Sequence, residues 1–129
     1  MPTRRRILLV DDSPTIRSIL KVYLLDADVE FTEAADGVAA LAALEGGGFD
    51  AVVADVRMTP IDGLELVQHI RSRERTRNLP VILLTGDLEQ GLRRKGLEAG
   101  ADAFVHKPVS GKLLREALEM AVARRSKDA

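Results

Sequence analysis

Apolar positions along the chain fall into two kinds of pattern that take turns. Short runs at Ile7–Val10, Val29–Thr32, Ala51–Ala54, Pro80–Thr85 and Ala103–His106 are apolar either continuously or at every second residue. Runs of this length between turn formers fit strands, and unbroken ones fit strands buried on both faces. Between them, apolar residues return at three- and four-residue spacing, as in Ile16, Ile19, Leu20, Tyr23 and Leu24, in Ala40, Leu41 and Leu44, and in Leu66, Val67 and Ile70. That spacing lines one face of a helix. Strand and helix alternating about five times predict an α/β chain doubly wound around a parallel sheet.

Local signals sharpen the boundaries. Ser13 offers an N-cap and Pro14 a first helical residue, while Ala34 to Gly37 reads as a turn and Gly46 to Gly48 ends the short second helix. Leu64–Arg73 forms the third helix, and the polar stretch Ser72–Asn78 leads from it into the fourth strand. Gly91 and Gly96 weaken the fourth helix, each costing about 1 kcal/mol against alanine, so it is expected to be the softest. Ser110–Arg125 makes a final helix that turns Leu113, Leu114, Ala117, Leu118, Ala121 and Val122 inward and ends on two arginines suited to its dipole.

Composition narrows the functional classes. The 129 residues are 46% hydrophobic and 30% charged, those of one ordinary domain. A net charge of -1, with no basic stretch interleaved with aromatics, argues against direct nucleic-acid binding. Without cysteine there is neither a disulfide framework nor a thiolate metal site, which suits a cytoplasmic protein. No apolar segment is long enough to span a membrane, and Asp11 and Asp12 interrupt the first apolar run too soon for a signal peptide.

Ligands of open α/β sheets bind outside the carboxyl ends of the strands. Four runs end there on chemistry-bearing residues: Asp11-Asp12, the single acid Asp55, Thr85-Gly86 and Lys107-Pro108. Carboxylates gathered at one edge repel each other and invite a hard cation. Plainer roles stay open at this point. Asp12 would also serve as a helix cap, Thr85 as an ordinary strand residue, Lys107 as a loop charge and Phe104 as a core aromatic. His69 and His106 lack metal-ligand spacing and are assigned no role.

In this combination and order the motifs resemble those of response-regulator receiver domains, the phosphoacceptor half of two-component signalling. They are Asp11-Asp12 opening DDSPT, Asp55 followed by Met58 and Asp62-Gly63, Thr85-Gly86, and Lys107-Pro108 after Phe104. The resemblance implies a flavodoxin-like, five-stranded parallel sheet of order 2-1-3-4-5, a single receiver domain over residues 5–125, and flexible ends at 1–4 and 126–129. It also implies Mg²⁺-dependent transfer of a phosphoryl group to Asp55 from a sensor histidine kinase, a phosphotransfer protein or a small phosphodonor. Asp12 and Asp55 become direct metal ligands, Asp11 a ligand through water, and Arg57 a ligand through its backbone carbonyl. Lys107 meets the phosphoryl oxygens. Thr85 hydrogen-bonds another of them, drawing its loop inward so that Phe104 rotates in and alters the face of the fourth helix, fifth strand and fifth helix, where a downstream protein target docks. Such a domain is no enzyme in the ordinary sense, since it catalyses only its own phosphorylation and dephosphorylation.

Thr59 stands where most family members have the proline, which here is Pro60, so the φ constraint falls one residue later and bears on the position of the Arg57 carbonyl. Arg57 and Asp87 flank the pocket mouth, either paired across it or separately solvated. A haloacid-dehalogenase type of phosphatase fits less well, because Asp11-Asp12-Ser13 replaces its Asp-x-Asp. A flavin carrier is disfavoured by acids where a phosphate-binding loop needs glycines.

Overall fold

The computed structural model describes residues 5–86 and 91–127. Ten elements alternate along it: β1 (Arg5–Val10), α1 (Pro14–Leu24), β2 (Val29–Ala34), α2 (Gly37–Glu45), β3 (Ala51–Asp55), α3 (Gly63–Ser72), β4 (Val81–Thr85), α4 (Leu92–Ala99), β5 (Ala103–His106) and α5 (Gly111–Lys127). The strands form one parallel sheet in the order β2-β1-β3-β4-β5, the topology the motifs imply.

Helices cover both faces of the sheet, so alternate strand residues enter two separate cores. Leu8, Val10, Val52, Ala54, Val81 and Leu83 pack on one side with Leu44 of α2, Leu66 and Ile70 of α3, and Leu92 of α4. Ile7, Leu9, Val53, Ile82 and Leu84 pack on the other with Leu20 and Leu24 of α1 and Leu114 and Leu118 of α5. Each fully buried Val, Leu or Ile stabilises the fold by about 1.5–3 kcal/mol relative to exposure. Leu113, expected inward, instead lies 56% exposed on α5. The apolar stripe of that helix is narrower than its sequence, with Leu114, Leu118 and Ala121 holding the buried side.

β2 runs two residues beyond the alternating stretch that predicts it. Leu9 pairs with Glu33 and Val10 with Ala34, so β1 carries its neighbour along its full length. Gly91, expected to weaken α4 from within, is its N-cap at φ +90°, a left-handed conformation that glycine adopts without strain.

The sheet's amino edge is fastened by Asp102, whose carboxylate is only 1% exposed. It accepts hydrogen bonds from Arg71 Nη2 at 3.1 Å, Arg125 Nε at 2.8 Å and the Val81 backbone N–H at 2.9 Å. Arg71 also donates to the carbonyls of Leu79 and Gly100, so α3, α5 and the starts of β4 and β5 meet at one buried acid.

Candidate phosphoacceptor site

Register brings the polar strand ends together at the opposite edge. Val10 pairs with Ala54, so Asp11 and Asp55 are the next residues along neighbouring strands, and Asp55 pairs with Leu84, one residue before Thr85. Oxygens of Asp11, Asp12 and Asp55 all lie within 4.8 Å of one another. Asp11 and Asp55 are buried and Asp12 is exposed.

Lys107 joins the two buried acids. Its Nζ lies 3.3 Å from Asp11 Oδ2 and 3.2 Å from Asp55 Oδ2. The lysine leaves β5 beside Thr85, whose carbonyl accepts the Lys107 backbone N–H at 2.7 Å. The Lys107-Pro108 bond that follows is cis, as is Thr59-Pro60. Burial, the largest single influence on the ammonium, works against its charge but is outweighed by Asp55 and Asp11, so its pKa lies above the usual lysine value. Burial also raises the pKa of Asp11, with the charge of Asp55 adding to the effect and the Ser13 N–H and Lys107 opposing it. Three carboxylates facing one ammonium leave an excess of acidic oxygen, a donor set that fits a hard divalent cation.

Local sequence fixes each backbone around the acids. Ser13 Oγ accepts the Ile16 N–H at 3.2 Å, so Ser13 caps α1 and Asp12 is released from that role. Asp11 Oδ1 accepts the Ser13 N–H at 2.9 Å. Asp62 caps α3 in a reciprocal box with Glu65, and Gly63 then lies against the acceptor strand. A Cβ at Gly63 would stand 2.6 Å from the Asp55 carbonyl oxygen, so only glycine lets α3 approach this closely.

A family model, the response regulator receiver domain, matches residues 7–119. The chain belongs to that family. It is a receiver domain of two-component signalling, with an acidic pocket that fits the phosphorylation site. Chemotaxis protein CheY of Pseudomonas aeruginosa is 36% identical over 115 residues, 88% of this chain and 93% of that one. The structure of the chemotaxis response regulator CheY4 of Vibrio cholerae superposes with TM-score 0.84 at 32% identity, over 92% of this chain and 99% of that one. The receiver domain of a P. aeruginosa sensor histidine kinase, solved with a magnesium ion coordinated in its active-site cleft, gives TM-score 0.83 at 30% identity, over 94% and 99% of the two chains.

Within this receiver domain Asp11, Asp12, Asp55 and Lys107 converge as the motifs imply. Arg57 follows at once, its N–H donating to Asp55 Oδ1 at 3.3 Å, and Thr85 is wholly buried at the end of β4. Asp87, the partner expected for Arg57, lies outside the described residues. Phe104 lies in the core, as its plainer reading has it: it is 5% exposed and its ring rests on Gly96 of α4, where a Cβ would come within 2.9 Å of it. The missing side chain of Gly96 leaves the slot that the ring fills. Among the described residues, no helix is long and apolar enough to cross a membrane.

Arg17 escaped the sequence reading. It falls six residues after Asp11, and its Nη1 donates to the Asp11 carbonyl at 2.6 Å while its Nε pairs with Glu33 at 3.0 Å. The Asp-x-x-Glu box at Asp62 and Glu65 was the one local signal available for the close seating of Gly63.

Proposed function

We propose that Asp55 accepts a phosphoryl group in a Mg²⁺-dependent transfer from a sensor histidine kinase, a phosphotransfer protein or a small phosphodonor, and that the domain relays this change to a downstream protein. The observation that carries the reading is Lys107 held between Asp11 and Asp55 within a cluster of three carboxylates. Asp12 and Asp55 would hold the metal directly, Asp11 through water, and Arg57 through its backbone carbonyl. Bound Mg²⁺ supplies the charge that lets an anionic donor and an anionic nucleophile meet.

The chain's own groups do the rest. A carboxylate oxygen of Asp55 bonds to phosphorus as the bond to the donor breaks. With a phosphohistidine donor, that electron pair stays on the imidazole nitrogen. Lys107, kept protonated by the neighbouring acids, follows the negative charge from the Asp55 carboxylate to the new phosphoryl oxygens. Return to the resting state is attack of water on phosphorus, which frees the carboxylate and inorganic phosphate. The domain therefore turns over only its own phosphoryl group.

Thr85 donates its hydroxyl to a phosphoryl oxygen and moves its loop. Shifting a switch from 1:99 to 99:1 takes about 5.5 kcal/mol, and one charge-assisted hydrogen bond supplies about 1.5–3 of it. The change at Thr85 frees space for Phe104, which packs against Gly96 of α4, to turn further inward. The output face is α4, β5 and α5, read by a protein target in the cytoplasm. Incubation with acetyl phosphate and Mg²⁺, followed by phosphorus NMR, tests the reading. An acyl phosphate resonance is expected in the wild type and absent in Asp55→Asn or in chelator, and an undiminished signal in Asp55→Asn overturns the assignment.

A further inference from the structure

Among the described residues, no side chain hydrogen-bonds the Asp12 carboxylate, so its direction is set by the peptide from which it hangs. That peptide joins Asp11 to Asp12, and its carbonyl, on Asp11, accepts from Arg17 Nη1 at 2.6 Å. The peptide before it is fixed to β2, where the Asp11 N–H donates to the Ala34 carbonyl at 3.1 Å. Arg17 is itself held in place. Its Nε pairs with Glu33 Oε1 at 3.0 Å, Lys21 takes the other oxygen of Glu33 at 3.0 Å, and the Arg17 side chain is only 16% exposed. One fork of the guanidinium therefore rests on β2 through Glu33 while the other fixes the plane of the Asp11-Asp12 peptide.

We infer that Arg17 is a positioning residue for metal binding, aiming Asp12 at the cation although it touches neither the cation nor the phosphoryl group. The inference rests on the Mg²⁺ reading given above. Loss of a partner that orients a ligand typically weakens metal affinity by about 10–100-fold. Charge alone pulls the other way, since deleting a cation near three carboxylates favours Mg²⁺. The two effects have opposite signs, and this makes the role testable.

The test is calorimetric Mg²⁺ titration of the wild type, Arg17→Ala, Arg17→Lys and Lys21→Ala, with each variant's melting temperature measured in chelator. Lys21→Ala removes the same charge from the same Glu33 without touching the Asp11 carbonyl, so its Mg²⁺ affinity is expected to stay level or tighten slightly. Arg17→Ala is expected to bind Mg²⁺ about 10-fold more weakly. Arg17→Lys preserves charge but has no fork to span Glu33 and Asp11, and falls between Arg17→Ala and the wild type, which keeps the question answerable if the alanine variant does not fold. A purely structural arginine would lower the melting temperature and leave the affinity unchanged. Affinity in Arg17→Ala and Arg17→Lys equal to or tighter than in Lys21→Ala overturns the inference. A wild type that does not bind Mg²⁺ at all overturns the metal reading itself.

Discussion

Removing Asp12 is expected to stabilise the metal-free domain and to handicap the metal-bound one. Oxygens of the three acids lie within 4.8 Å of one another. Two unit charges at that separation repel by about 3.5 kcal/mol at an effective dielectric near 20 and by about 0.9 kcal/mol in bulk water. Asp12 is exposed, so the lower figure applies to each of its two acidic neighbours, and Lys107 offsets about one of them. Roughly 1 kcal/mol of repulsion is then relieved in Asp12→Ala. No cap is lost, because Ser13 holds that position. At about 2.1 cal/mol/K of unfolding entropy per residue, 129 residues convert this to a melting temperature about 4 °C above wild type in chelator. Mg²⁺ at 100 times its dissociation constant stabilises the wild type by about 2.7 kcal/mol, or about 10 °C. The variant, short of a ligand, gains less, and the order reverses. Circular dichroism is the suitable probe, since the chain has no tryptophan and a single tyrosine. A variant that melts below wild type in chelator, or keeps its advantage in saturating Mg²⁺, would refute the reasoning.

Three further outcomes follow from particular contacts. Gly63→Ala places a Cβ 2.6 Å from the Asp55 carbonyl and 2.8 Å from Val56 Cα, so it is expected to cost about 1–3 kcal/mol and to slow acetyl phosphate labelling; wild-type melting and labelling together would contradict this. Asp102→Ala leaves Arg71 and Arg125 without their shared buried acid and is expected to lower stability by about 3–5 kcal/mol in urea, while the folded fraction still labels at the wild-type rate; an unchanged midpoint would contradict it. Glu33 is held below its usual 4.5 by hydrogen bonds from Lys21 and then Arg17, so its stabilisation is present above the unfolded value and lost as pH falls through the folded one. Glu33→Gln is therefore expected to melt lower at neutral pH and decline less steeply in acid, an effect kept small by solvent exposure, and an acid limb identical to wild type would rule the pairing out.

The sheet was legible because its strands are buried on both faces, which leaves unbroken apolar runs such as Val52–Ala54 and Ile82–Leu84. Its polar edge was legible too, since Asp11, Asp55 and Thr85 each follow such a run directly, with Asp12 one residue later and Lys107 two residues past Val105. Interactions between distant segments were not. Asp102 is 31 residues from Arg71 and 23 from Arg125, and nothing in the local pattern separates it from a solvated loop acid. Arg17 likewise reads as one polar position on an amphipathic helix, because its role depends on a carbonyl and on Glu33 of a neighbouring strand. Phe104 was assigned correctly to the region of the last strand, but its inward position depends on Gly96, a residue that sequence reasoning treats as a cost to helix stability.

The central claim is that Asp55, and neither of the two acids beside it, becomes the phosphorylated carboxylate. Borohydride reduction of the phosphorylated protein, followed by mass spectrometry of its peptides, reads the position directly, because an acyl phosphate is reduced to an alcohol where an ordinary carboxylate is not. The account predicts one reduced aspartate per chain, at Asp55, appearing only when both phosphodonor and Mg²⁺ are present. Reduction at Asp11 or Asp12, or none in a domain shown to bind Mg²⁺, would contradict it.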